Sequence, residues 1–83
     1  SMAERREVRQ QYQIEQNGLC SHCGERLDEC PSRDVLRLKV NKRLFPKFFF
    51  NWPIHLHHNH GTGMTIGAVH AVCNAVLWQY YGE

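Results

Sequence analysis

The chain lacks several features that define large classes of proteins. It has no apolar run of membrane-spanning length and no secretory signal, so we expect no membrane partner and a reducing, cytoplasmic location. It also has no internal repeat and no low-complexity segment. The chain has no glycine-rich phosphate loop either, so there is little support for an enzyme that acts on a small phosphorylated ligand. At 83 residues the chain is predicted to be one small domain, residues 1–83.

A chain of this length also lacks the residues for a large apolar core. The small core that it can form rarely yields more than about 3–5 kcal/mol of net stability, so a covalent or metal staple is expected. The spacings Cys20-x-x-Cys23 and His70-x-x-Cys73 favour a tetrahedral zinc site over a disulfide framework. A closed set of four protein ligands predicts a structural zinc. Two alternatives are that Cys30 replaces His70, or that the cysteines are buried free thiols.

The pattern of apolar residues and chain breakers predicts an α+β fold. A helix is expected over residues 3–17, ended by Asn17-Gly18, and a zinc knuckle over residues 19–25. Val35–Val40 alternates imperfectly and predicts a strand. Further along, the pattern predicts strands over 54–58 and 64–69, a turn over 59–63 and a helix over 71–81 whose apolar face carries Val72, Val76, Leu77 and Tyr80.

The basic residues cluster locally although the net charge is only +2. One group lies in the first segment, and a longer group in the middle supplies candidate DNA contacts: Lys39, Lys42, Arg43 and Lys47. A solvated charged face is the equally weighted alternative. The aromatic residues of segment 44–53 are predicted to pack in the core rather than to stack on bases. The same segment is a candidate dimer face, so the sequence is compatible with a monomer and with a homodimer.

Five polar side chains crowd the segment between His55 and His60. They cannot all be ordinary core residues, because each buried polar group needs a partner. Near a strand end, one imidazole can bind a hydrolytic metal while its neighbour takes a proton from water. The alternative is a surface cluster with adventitious metal affinity. Asn74 directly follows Cys73, so its amide could be aimed at such a metal, although an asparagine at a helix start is more often a cap.

These segments together resemble the HNH (ββα-metal) nucleases. The resemblance covers roughly residues 19–78 and is carried by Cys20-x-x-Cys23, by the His57–Gly63 segment and by the Gly67–Asn74 segment. It is closest to the phage recombination endonuclease group, whose pattern runs Asp-His-Asp-His, x-Thr-Gly, then Gly and Cys-x-x-Cys-Asn. The resemblance implies a small zinc-stabilised ββα-metal fold with its core at about residues 54–81 and an added N-terminal helix. It also implies DNA cleavage to 5′-phosphate and 3′-hydroxyl ends, in a bacterial or phage-infected cell.

The resemblance implies a role for each site residue. His58 would be the general base that activates water, and His57 and Asn74 would hold one divalent ion, with His60 as a further site residue. His57 stands where the group has Asp, which favours nickel, cobalt, manganese or zinc over magnesium. His70 replaces a cysteine, and Ile66 replaces a basic residue. The alternative function is a non-catalytic zinc module that binds nucleic acid or protein.

Overall fold

The structure combines helices with one small antiparallel sheet, so the α+β class is confirmed. The computed structural model describes residues 1–82. Its elements are α1 (Met2–Glu15), α2 (Arg33–Leu36), β1 (Ile54–His58), β2 (Thr65–His70) and α3 (Ala71–Tyr81), with 3-10 turns at Lys42–Leu44 and Phe49–Asn51. No helix in this part of the chain is long and apolar enough to cross a membrane.

Both ends of α1 are set by local chemistry. The Ser1 hydroxyl accepts a hydrogen bond from the Glu4 backbone N–H at 3.3 Å, and the Glu4 carboxylate accepts one from the Ser1 amine at 3.4 Å, which forms a capping box. The helix ends before Asn17 and Gly18, which adopt left-handed backbone angles with φ of 56° and 74°. The predicted stop is therefore observed, although the last helical residue is Glu15.

The β1 and β2 strands form a hairpin with a slip in its register. Leu56 pairs with Ala68 and His57 with Gly67, but His58 pairs with Thr65, so Ile66 is an extra residue on β2. Such a bulge bends a strand and re-aims the side chains beside it. The slip therefore lies at the histidine-rich end of β1.

The turn between the strands is organised by Asn59. The Asn59 Oδ1 atom accepts hydrogen bonds from the N–H groups of Gly61 and Thr62 at 2.8 and 3.1 Å, and Gly63 N–H donates to the Asn59 carbonyl oxygen at 2.7 Å. This is the usual role of an asparagine side chain in a turn. Asn59 therefore holds the turn that carries His60.

The helix α3 starts at the residue after β2 and ends at Tyr81, and Gly82, with φ of 71°, forms its left-handed cap. Val76 and Leu77 are buried as predicted, and Val72 packs partly against the core. Tyr80 is 47% exposed, and its hydroxyl donates to the Lys39 carbonyl oxygen at 2.6 Å. Tyr80 therefore anchors the preceding loop rather than filling the core.

The core is small and includes two cysteines, Cys20 and Cys73. Its buried members come from the knuckle, the loop after it, α2, β2 and α3: Cys20, Leu27, Val35, Ala68, Val69, Cys73 and Val76. Helix α1 has no fully buried residue and contributes only the packing of Tyr12. Polar contacts hold this helix instead. The Gln16 side chain donates from Nε2 to the Ala68 carbonyl oxygen at 2.9 Å and accepts from the Ala68 N–H at 2.8 Å.

The predicted strand over Val35–Val40 is wrong. Arg33–Leu36 is a short helix whose N-cap, Ser32, accepts a hydrogen bond from Val35 N–H at 3.5 Å. Only Val35 of this segment is buried, and Leu36 is 52% exposed. At Ala68 the outer edge of β2 is occupied by the Gln16 side chain and by the Ser21 N–H, in place of a third strand.

Candidate functional site

The four predicted zinc ligands meet at one point. Cys20 and Cys23 lie on the knuckle, and His70 and Cys73 lie at the junction of β2 with α3; one ligand atom from each is within 4.8 Å of the others. The knuckle turn is closed by a hydrogen bond from the Gly24 N–H to the Cys20 carbonyl oxygen at 3.0 Å. Cys30 is exposed and outside the group, so the fourth member is His70.

The hydrogen bonds of His70 determine which ring nitrogen faces the thiols. Nε2 lies 2.8 Å from the Arg26 carbonyl oxygen, which can only accept, so Nε2 carries the proton. Nδ1 is 3.5 Å from the Cys23 sulfur and 3.6 Å from the Cys73 sulfur. Nitrogen and sulfur atoms bound to one tetrahedral zinc lie about 3.6 Å apart, given zinc bonds of about 2.0–2.1 and 2.3 Å. The geometry therefore suits zinc.

The proton chemistry of the thiols points the same way. A hydrogen bond from Cys73 lowers the pKa of Cys20 to about 4, against the opposing effect of burial. That same contact raises the pKa of Cys73, and burial raises it further. Adjacent buried thiolates repel one another unless a cation lies between them. A divalent metal would remove this conflict, so the group can hold a metal ion.

The residues of the predicted catalytic cluster occupy different environments. His58 is exposed, and its Nδ1 lies 3.2 Å from the Thr65 hydroxyl, which leaves Nε2 free. His57 is only 5% exposed, and its buried Nε2 has no hydrogen-bond partner within residues 1–82. His60 lies on the turn and lines a cavity of about 290 Å³ together with Asn74.

A chain of hydrogen bonds orients Asn74. The carbonyl oxygen of Phe49 accepts from His55 Nε2 at 2.8 Å, so the other ring nitrogen, Nδ1, is the acceptor for Asn74 Nδ2 at 3.2 Å. Burial lowers the pKa of His55, in keeping with a neutral ring. The Asn74 amide nitrogen therefore faces His55, and its Oδ1 is left for another partner.

His55 belongs to the histidine-rich segment seen in the sequence, but no role of its own was assigned to it there. The sequence feature that could have identified His55 is its position two residues before His57. Residues two apart on a strand share a face, so His55 lies on the same face of β1 as His57. Asn74 and His60 share one cavity, whereas His58 lines a separate groove with Arg5 and Arg9. Within residues 1–82 no hydrogen bond joins His57 to Asn74.

The aromatic segment packs beside this cluster. The Phe49 ring lies 4.5 Å from the His55 ring between centroids, and Phe45 lies 5.4 Å from Trp78. Packing is thus the observed role of these two phenylalanines, while Phe48 and Trp52 are 62% and 59% exposed. The four candidate DNA contacts in the middle of the chain are all exposed: Lys39, Lys42, Arg43 and Lys47.

Comparison with known proteins finds no relative. No protein-family model, no curated protein and no solved structure matches the chain. A functional hypothesis for this protein therefore depends on its own residues and their arrangement.

Proposed function

We propose that this protein is a DNA endonuclease of the ββα-metal type that hydrolyses phosphodiester bonds with one divalent metal ion. A second ion, a structural zinc held by Cys20, Cys23, His70 and Cys73, would stabilise the fold. The products would carry 5′-phosphate and 3′-hydroxyl ends. One site cuts one strand at a time, so nicking precedes linearisation unless two chains act together as a homodimer.

The oriented amide of Asn74 is the observation that carries the proposal. Asn74 follows the metal-site residue Cys73 and has its nitrogen held by His55, which leaves its oxygen for a cation. His57 supplies a second donor, because its Nε2 is buried and has no partner in the described part of the chain. A buried polar atom without a partner is costly and rare, and a bound ion is one way to satisfy it.

His58 is proposed as the general base. It lies at the end of β1, at the register slip, and its exposed ring can meet a water molecule. The Thr65 hydroxyl holds Nδ1, so Nε2 is the atom that would take the proton. A divalent metal at His57 and Asn74 would supply positive charge to the scissile phosphate and its leaving oxygen. His60 would orient groups or contact phosphate from the turn.

The choice of metal follows from the donor types. Imidazole prefers nickel, cobalt, manganese or zinc to magnesium, which takes oxygen ligands and keeps its waters. We therefore expect activity with manganese, nickel, cobalt or zinc to exceed activity with magnesium. The exposed Lys39, Lys42, Arg43 and Lys47 are proposed to contact the DNA backbone.

The alternative function is a non-catalytic zinc module that binds nucleic acid or protein. The burial of His57, at 5% exposure, is the observation that favours it, because a buried ring gives a catalytic metal and its water little access. In that case the histidines serve structure. The folded, zinc-loaded protein would then fail to cleave DNA, whichever metal ion is added.

The test is conversion of supercoiled plasmid to nicked and linear forms. The protein is first shown to contain one zinc per chain, and magnesium, manganese, nickel, cobalt or zinc is then added. We expect His58→Ala to lower the nicking rate by about 100-fold or more, the usual contribution of a general base. The matched control is His22→Ala, which removes an exposed histidine of the knuckle.

The circular dichroism spectrum and zinc content of both variants should equal those of the unmodified protein. Nicking that is equal in His58→Ala and His22→Ala would contradict the proposal. A protein that never cleaves with any of the five ions, yet is folded and zinc-loaded, would favour the zinc module.

A further inference from the structure

A groove beside His58 is lined by α1 and by the residues around the start of β1. Its volume is about 440 Å³, and its lining includes Arg5, Arg9, Trp52 and His58. A second cavity of about 260 Å³ shares Arg5, Arg9 and Trp52 and adds Arg6 and Met2. The Trp52 side chain therefore lines both cavities, which places one exposed indole and three arginines around a continuous surface.

The charge of this surface is one-sided. In a helix of about 3.6 residues per turn, Arg5, Arg6 and Arg9 fall within one arc of roughly 100°. Glu4 and Glu7, the acids of the same turns, fall outside this arc. Within residues 1–82, none of the three arginines forms an ion pair, whereas Arg26 and Arg37 both do. The groove therefore presents uncompensated positive charge.

Trp52, like Phe48, lies outside the packed group of phenylalanines in its segment. Phe45, Phe49 and Phe50 pack on one another, but within the described residues no aromatic ring packs on Trp52, which is 59% exposed. The backbone around it is held, because a 3-10 turn precedes it and the Pro53 carbonyl oxygen accepts from Ala71 N–H at 2.9 Å. An exposed indole on a backbone that is held, with no aromatic ring of the described residues packed on it, can serve as a platform for a flat ligand.

The two features match a single ligand chemistry. Alternating phosphates and unstacked bases need guanidinium groups for the charge and an aromatic face for the base, which is how proteins bind single strands. A duplex hides its base faces, and a protein ligand would not require both elements. The tie between Gln16 and Ala68 holds α1 against the hairpin, so the arginines keep their place beside His58.

We propose that Arg5, Arg9 and Trp52 form a positioning subsite for a single-stranded DNA segment, with the arginines on phosphates and Trp52 stacked on a base next to the bond that is attacked by the water His58 activates. This inference deepens the proposed function, on which it rests for the role of His58. It adds phosphate contacts on α1 to those proposed for the basic residues in the middle of the chain. The preferred substrate would accordingly contain unpaired nucleotides.

The experiment measures binding separately from cleavage. The full chain carrying His58→Ala, with its zinc and no added metal, is titrated into a fluorescein-labelled oligothymidylate and into a labelled duplex at several salt concentrations. We expect tighter binding to the single strand, and quenching of Trp52 fluorescence while Trp78 remains as an internal reference. All further variants are made in this same background, so cleavage never complicates the measurement.

Replacing each subsite residue should give a distinct result. Trp52→Leu should weaken binding about 5- to 100-fold and abolish the quenching, and Trp52→Phe should lose less. Arg5→Ala and Arg9→Ala should each lower the slope of log affinity against log salt by about 0.7. The matched control, Arg33→Ala, removes an exposed arginine of α2 outside the groove and should leave the affinity for single-stranded DNA unchanged.

Each outcome has one meaning. Equal affinity for duplex and single strand, or unchanged affinity in Trp52→Leu and Arg5→Ala, would overturn the subsite even if the protein nicks plasmid. Single-strand binding that depends on these residues, in a protein that cleaves no DNA with any metal, would support the subsite and contradict the endonuclease. Zinc content and circular dichroism identify any variant that has lost its fold, and Arg5→Gln and Trp52→Phe replace such variants.

Discussion

Gln16 and Ala68 are joined by two hydrogen bonds in which a side chain takes the place of a neighbouring strand. The amide group of Gln16, the C-cap of α1, donates to the Ala68 carbonyl oxygen at 2.9 Å and accepts from the Ala68 N–H at 2.8 Å. It also donates to the Leu19 carbonyl oxygen at 2.8 Å. Because α1 buries no residue fully, this amide is a main link between the helix and the hairpin.

Replacing Gln16 should therefore destabilise the protein more than its position on a helix end suggests. In Gln16→Ala the N–H of Ala68, a residue with 0% exposure, loses its partner, which typically costs about 1–3 kcal/mol. The free energy of unfolding from urea titration measures the loss. The control is Gln10→Ala on the exposed part of α1, expected within about 0.5 kcal/mol of the unmodified protein. Equal stability of the two variants would show that the amide tie contributes nothing.

Gly67 should tolerate a side chain poorly. A Cβ atom at this position would lie 2.9 Å from both Gln16 Oε1 and Ser21 Oγ, closer than real contacts allow. We expect Gly67→Ala to lower the free energy of unfolding by about 1–3 kcal/mol, as overpacking usually does. Ile66→Ala, at the exposed neighbouring bulge, is the control for an alanine on this strand. A Gly67→Ala protein with an unchanged urea midpoint would contradict this close packing.

Metal content should depend on three of the four cysteines. Cys73→Ser and Cys23→Ser remove a thiolate from the candidate zinc group, so both should lower zinc per chain and lose helical circular dichroism on mild chelation. Cys30→Ser should retain one zinc, because Cys30 is exposed and outside the group. Elemental analysis after gel filtration measures the ratio. Retention of full zinc by Cys73→Ser would contradict the four-ligand site.

His55 is predicted to act through Asn74 as a positioning residue. In His55→Ala, the Asn74 amide loses the acceptor that holds its nitrogen, so its oxygen is no longer fixed. We expect the metal concentration for half-maximal nicking to rise about 10- to 100-fold, as for other residues that orient a metal ligand. Stimulation of nicking by manganese, titrated in both proteins, gives this value. A lower maximal rate with an unchanged metal requirement would point to a structural effect of His55 instead.

Spacing along the chain was informative where the chemistry is local. The helix over 71–81 and the strand over 54–58 were predicted with the observed bounds, because a helical apolar pattern stops before Gly82 and a turn begins at Asn59. The two metal-binding pairs were equally visible, since two-residue spacings determine which side chains converge on one turn. The predicted strand over Val35–Val40 was wrong, because an imperfect alternation of apolar residues carries no information about whether a sheet edge is free to accept the strand.

The sequence by itself determined the hairpin, the last helix and the two halves of the metal group, because their residues lie within a few positions of one another. Only the tertiary structure decided that His70 rather than Cys30 completes the group, that His55 orients Asn74, and that Arg5 and Arg9 lie beside His58. His55 and Asn74 are 19 positions apart, and Arg5 and His58 are 53 positions apart. The choice between His70 and Cys30 likewise depends on which of the two lies near the other ligands. The physical reason is that such contacts depend on how α1 and α3 pack on the sheet, which local patterns do not encode.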